Sequence, residues 1–145
     1  MLKGIPGIIS PELMKIIMEM GHGDEIVLAD GNFPAASNAR RLIRCDGHQI
    51  PELLEAILKF FPLDTYVDQP VSLMEVSPED DYEPEIWEKY QEIIKKSETE
   101  IEESQIEFVK RFDFYKRARK AYAIVASGET ALYANIILKK GVIPG

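Results

Sequence analysis

Gly21-His22-Gly23-Asp24-Glu25-Ile26-Val27-Leu28-Ala29-Asp30-Gly31-Asn32 opens on a glycine-rich turn, runs through a short apolar stretch and ends in a turn-forming Asp-Gly pair. The run from Glu25 to Asp30 is too short for a stable helix and apolar without alternation, which is the pattern of a buried strand. Asp30 therefore sits at a strand's carboxyl end.

On the N-terminal side, Leu13, Ile16, Ile17 and Met20 recur at helical spacing behind Ser10 as N-cap and Pro11 at the first helical position, with Gly21 as the stop. Downstream, helix and strand signals alternate. Leu42 to Cys45 reads as a strand, Ile50 to Phe61 as a helix stopped by Pro62, and Val71 to Val76 as a strand. Pro84 to Lys96 reads as a helix carrying Trp87 and Tyr90, and Gln105 to Val109 as a strand. The acidic stretch from Ser97 to Ser104 is expected to be an exposed continuation or connection. Phe112 to Lys120 has a helical pattern, while Ala121 to Ala126 and Leu132 to Leu138 read as extended around a turn at Ser127 to Thr130. The economical architecture is α/β: a central sheet flanked by helices. At 145 residues, with no internal repeat or linker, the expectation is a single domain over residues 1–145.

Hydrophobic residues make up 46% and charged residues 29% of the chain, the balance of a globular protein rather than a disordered one. The N-terminus lacks the apolar stretch of a signal peptide, and no run reaches the length of a membrane span, so a cytoplasmic location without membrane partners is expected. Cys45 is the single cysteine and lies in an apolar run, where it reads as a small hydrophobe. The net charge of -8 comes from one region: residues 79 to 103 carry 11 acidic against 3 basic side chains. An acidic field disfavours nucleic acid. The basic cluster of Lys110, Arg111, Lys116, Arg117, Arg119 and Lys120 could touch phosphates, but reads more simply as a solvated helix face.

His22 stands between two glycines, where the backbone can aim a side chain into a cleft, and is the best acid/base candidate. The plainer reading is that it interacts with the carbonyls ending the preceding helix. Asp30 could likewise be an ordinary turn residue. Yet carboxyl ends of strands in α/β sheets commonly line ligand clefts. To meet Asp30, His22 must fold back along the strand or face the Asp30 of a neighbouring subunit. Tyr133 and Asn135, two apart in the last expected strand, should share one face roughly 6–7 Å apart, with Leu132, Ala134 and Ile136 on the other. Their phenol and carboxamide suit sugar hydroxyls, although taken alone the pair reads more simply as part of an ordinary half-exposed strand. Arg111, where a strand meets a helix, could hold two hydroxyls or a carboxylate. The two histidines and single cysteine show no metal-ligand spacing, and no phosphate loop or dinucleotide fingerprint is present, so neither metal nor cofactor is expected.

The run from Gly21 to Asp30, followed by Asn32-Phe33-Pro34, resembles a signature of the family of sugar mutarotases and ribose pyranases (RbsD/FucU). The run from Ser127 to Val142 resembles that family's second signature. Arg44-Cys45-Asp46-Gly47, Pro62-Leu63-Asp64-Thr65-Tyr66 and Arg111-Phe112-Asp113-Phe114-Tyr115 extend the resemblance over nearly the whole chain. Arg111, where the ribose branch usually has histidine, and the residues around Gly23 and Phe33 resemble the fucose branch. Asn32 departs from many bacterial members, which carry histidine there, and residues 79 to 104 depart from the family pattern.

The resemblance implies an RbsD-like fold and a cofactor-independent isomerase that exchanges the anomers of L-fucose through the open chain. It implies a proton-donating His22 and substrate contacts at Asp30, Arg111 and the Tyr133-Ala134-Asn135 segment. It also implies a homo-oligomer, commonly a ring-like decamer, with sites near subunit contacts. A D-ribose pyranase and a sugar-binding regulatory subunit without turnover are the alternatives.

Overall fold

The computed structural model describes residues 1–97 and 101–145. Six strands form one mixed sheet: β1 (Glu25–Ala29), β2 (Leu42–Cys45), β3 (Val71–Met74), β4 (Ile106–Val109), β5 (Ala123–Ser127) and β6 (Ile136–Lys139). Their spatial order is β2-β5-β1-β6-β3-β4. β1 pairs in parallel with β5, β5 with β2, and β3 with β4, whereas β6 runs antiparallel between β1 and β3. Five strands thus point their carboxyl ends toward one edge, and only β6 begins there.

Among the described residues five helices cover the sheet: α1 (Pro11–Glu19), α2 (Ala35–Asn38), α3 (Ile50–Leu58), α4 (Ile86–Ser97) and α5 (Arg111–Lys120). In β1 the pleat sends Ile26 and Leu28 to the core formed with Leu13, Ile17, Leu54 and Tyr90 from α1, α3 and α4. Val27 and Ala29 point to a second core with Ala35, Phe114 and Ala118 from α2 and α5. Because both faces are buried, the strand reads as a continuous apolar run. Cys45 packs in the first core, where burial, Asp46 and Glu12 push its thiol up. That disfavours the reactive thiolate.

Helix α1 starts as its sequence dictates: Ser10 Oγ accepts from the Leu13 amide at 3.1 Å, and Pro11 occupies the first turn. Helix α3 opens on a reciprocal box between Gln49 and Glu52. The short α2 was not foreseen, because four residues carry too little periodicity. Of the expected acidic connection, residues 98–100 lie outside the described residues. Around them, Ile101 is buried and Glu103–Gln105 form a 3₁₀ turn.

The expected strand from Leu132 to Leu138 needs correction: β6 begins only at Ile136. Tyr133 has φ 57°, a left-handed conformation that interrupts any strand. Tyr133 and Asn135 are therefore not alternate residues on one pleated face. Among the described residues no helix is long and apolar enough to cross a membrane.

Candidate active site

At the carboxyl edge of the sheet, a cavity of about 270 Å³ is walled by Asp30 after β1, Arg111 at the start of α5, and Tyr133 and Asn135 before β6. Phe33 and Met74 supply an apolar floor. Phe33 is fixed edge-on between Phe114 and Tyr115, with ring centroids 6.2 and 5.3 Å away. Polar groups converging over apolar surface is the usual make-up of a small-molecule site.

Asp30 is held on both sides. Its backbone amide donates to Asn135 Oδ1 at 2.8 Å, and its carboxylate accepts from the Asn32 amide at 3.0 Å. Burial pushes its carboxyl up, aided by the charge of Glu129, and wins over the amides of Asn32, Phe33 and Asn135 that favour the anion. A second cavity, about 440 Å³, shares Asp30 and Phe33 and extends toward Arg44 and Ser127.

Arg111 stays exposed, its Nε donating to Tyr115 Oη at 3.3 Å. That bond and the charges nearby raise the guanidinium pKa, so it is a permanent cation at the rim. Arg117, one turn and a half further along α5, does something different: it is half-buried and paired to Glu25 and Glu107. The basic cluster therefore does not form one solvated face.

The segment before β6 is anchored from beneath by α4. Trp87 Nε1 donates to the Tyr133 carbonyl at 2.9 Å, and Tyr90 Oη donates to the Ala134 carbonyl at 2.6 Å. Ala134 is fully buried, so its side chain packs into the core rather than lining the cavity, while Asn135 does line it.

His22 lies at the other end of β1. The five residues between, at roughly 3.3 Å each, separate the two edges by about 16 Å. His22 does not fold back toward Asp30, nor does it bond the end of α1. Its Nε2 instead meets Asp64 Oδ1 at 3.0 Å, and its ring lies 5.2 Å from that of Tyr66. Burial would push the Asp64 carboxyl up, but the Tyr66 amide, the His22 bond and charge, and Lys139 together hold it below its usual value. Asp64 is itself held by its backbone amide donating to the Lys139 carbonyl at 3.0 Å. A buried carboxylate thus orients a half-exposed imidazole that faces away from its own chain's cavity.

Tyr115, Asp80 and Asp64 are site-associated residues that sequence reasoning did not single out. Tyr115 could have been found, since it stands four residues from Arg111 and shares its helix face. Asp64 and Asp80 lie in loops with no periodicity to point to them. Among the described residues, no group of histidine, cysteine and carboxylate side chains could hold a metal.

The whole chain has relatives. A fucose mutarotase of Danio rerio is 51% identical over 149 residues, covering 99% of this chain and 95% of its own. An L-fucose mutarotase of Actinobacillus pleuropneumoniae is 49% identical, covering 99% of each. The crystal structure of the fucose mutarotase from Streptococcus pneumoniae in complex with L-fucose matches with a TM-score of 0.94 and 57% identity, over 99% of this chain and 100% of that one. The model of the RbsD / FucU transport protein family matches residues 3–143, a span that takes in both edges of the sheet, and to that family this chain belongs.

Proposed function

We propose that this protein is an L-fucose mutarotase, exchanging the α and β anomers of L-fucopyranose through the open-chain aldehyde. The observation that carries this reading is the cavity in which Asp30, Arg111, Tyr133 and Asn135 converge over Phe33 and Met74. At about 270 Å³ it has room for a monosaccharide. Relatives near 50% identity across the full length carry the same activity in their names.

Mutarotation needs a group to remove the proton of the anomeric hydroxyl and one to protonate the ring oxygen. The ring then opens, the aldehyde face rotates, and the ring recloses. His22, oriented by Asp64, is the proton shuttle: it takes the proton of the anomeric hydroxyl and delivers a proton to the ring oxygen. Asp30 and Asn135 bind hydroxyls, Arg111 holds the rim, and Tyr133 fixes the ring, with Ala134 setting the backbone between them. Because His22 and Asp30 occupy opposite edges of one sheet, His22 serves the cavity of a second copy of the chain. An apolar groove beside α1, lined by Leu2, Ile5, Met14 and Met18, supports such an assembly. Helix α1, which forms one wall of it, leads directly into His22. The working form is a homo-oligomer, a ring-like decamer, of single-domain chains acting in the cytoplasm.

Saturation-transfer NMR of L-fucose, with D-ribose in parallel, tests the reading. Wild-type protein should accelerate fucose anomer exchange, and His22→Ala should lose it. Acceleration of ribose exchange in preference to fucose would point to a pyranase. Binding of either sugar without acceleration would leave a regulatory subunit.

A further inference from the structure

The segment from Glu75 to Glu83, between β3 and α4, begins the acidic region, and it reaches the site through one side chain. Tyr133 Oη donates to an Asp80 carboxylate oxygen and accepts from the Ser77 backbone amide at 3.2 Å. The Tyr82 ring stacks on the Tyr133 ring, centroids 6.1 Å apart and planes 28° from parallel. Asp80 also lines the cavity beside Arg111. The phenol is thus gripped at its oxygen by two partners and over its face by a third.

We infer that Asp80 is a positioning residue, which with the Ser77 amide clamps the Tyr133 hydroxyl and so fixes the Tyr133 ring as a wall of the sugar cavity. A phenol has one proton to donate and, with its other lone pair conjugated into the ring, one strong acceptor position. Asp80 accepts the hydrogen bond of the proton and the Ser77 amide fills the acceptor position. Both positions are thus occupied within the chain, and Tyr133 meets the sugar through its ring. The clamp also holds a residue whose backbone is already left-handed, a conformation that persists only where surrounding contacts enforce it.

This inference rests on the mutarotase reading for its kinetic arm and not for its spectroscopic one. Saturation-transfer kinetics with L-fucose would be measured for wild type, Asp80→Asn, Asp80→Ala, Tyr133→Phe and the Asp80→Ala/Tyr133→Phe double variant. Each would also carry ¹³Cζ-labelled tyrosine, so that the Tyr133 phenol is titrated by NMR.

Removing Asp80 should raise KM about five- to tenfold with kcat within about twofold, because the ring is held less well while the proton donor is untouched. In the Tyr133→Phe background, Asp80→Ala should add nothing further. A carboxylate next to a phenol opposes the phenolate, so Asp80→Asn should lower the Tyr133 titration. An unchanged KM, additive losses in the double variant, or an unmoved Tyr133 titration would each overturn the clamp. If wild-type protein failed to accelerate exchange, the mutarotase reading would fall, and the titration alone would decide the clamp.

Discussion

At the level of single residues, Asp30 and Asp64 are perturbed in opposite directions. Asp30 is raised by burial, so the native state holds its proton more tightly than the unfolded chain does. Its contribution to stability is fully favourable below the ordinary 3.8 and is lost as pH rises through the raised value. Asp30→Asn should therefore raise Tm by roughly 2–4 °C at pH 7 while weakening sugar binding, and the Tm gain should vanish as the pH falls below that value. Asp64 has the opposite sign. Its depressed value makes its contribution present above 3.8 and lost as the pH falls through the folded value. Asp64→Asn should keep the fold and slow exchange by about one order of magnitude, less than the roughly 10²–10⁴-fold loss for His22→Ala. Thermal scans against pH and exchange rates of the two variants check both expectations. Asp80 differs again, since its effect passes through the hydroxyl of Tyr133.

At the level of elements, most of the sheet was legible because burial on both faces writes continuous apolar runs: Ile26 to Ala29 and Ala123 to Ala126 announce themselves. Residues 132 to 135 misled, because Tyr133 is a strand-favouring residue and the run continues into the apolar Ile136 to Leu138. Two long-range bonds from α4, by Trp87 and Tyr90, seize the backbone there, and no local pattern records them. Asp30, Arg111 and Asn135 could be picked out as chemistry-bearing residues next to strand ends. That His22 stands at the opposite end of β1 from Asp30 could be read, but not its pairing with Asp64, because the bridge between Leu63 and Lys140 that brings Asp64 there is a long-range fact. Tyr90→Phe should cost about 1–3 kcal/mol in urea unfolding, since it leaves the buried Ala134 carbonyl without a donor. Gly141→Ala should be worse than a simple glycine substitution: its Cβ would lie 2.6 Å from the Leu63 carbonyl oxygen and 2.9 Å from Asp64 Cα. It should lower both Tm and exchange by disturbing the carboxylate that orients His22.

At the level of the whole molecule, the sheet sorts its chemistry by edge. The cavity lined by Asp30, Arg111 and Asn135 stands at the carboxyl edge, where five strand ends and the start of β6 meet, and the His22–Asp64 pair stands at the other. The mechanism proposed above therefore requires a second copy of the chain to bring the two together, since about 16 Å separates them within one. Complementation measures this directly: inactive His22→Ala and Asp30→Ala proteins are unfolded together, refolded as a mixture, and followed by L-fucose saturation transfer. Random mixing should restore about a quarter of the wild-type sites, those that combine an intact His22 from one copy with an intact Asp30 from another. A mixture no more active than its two parents would contradict the shared site.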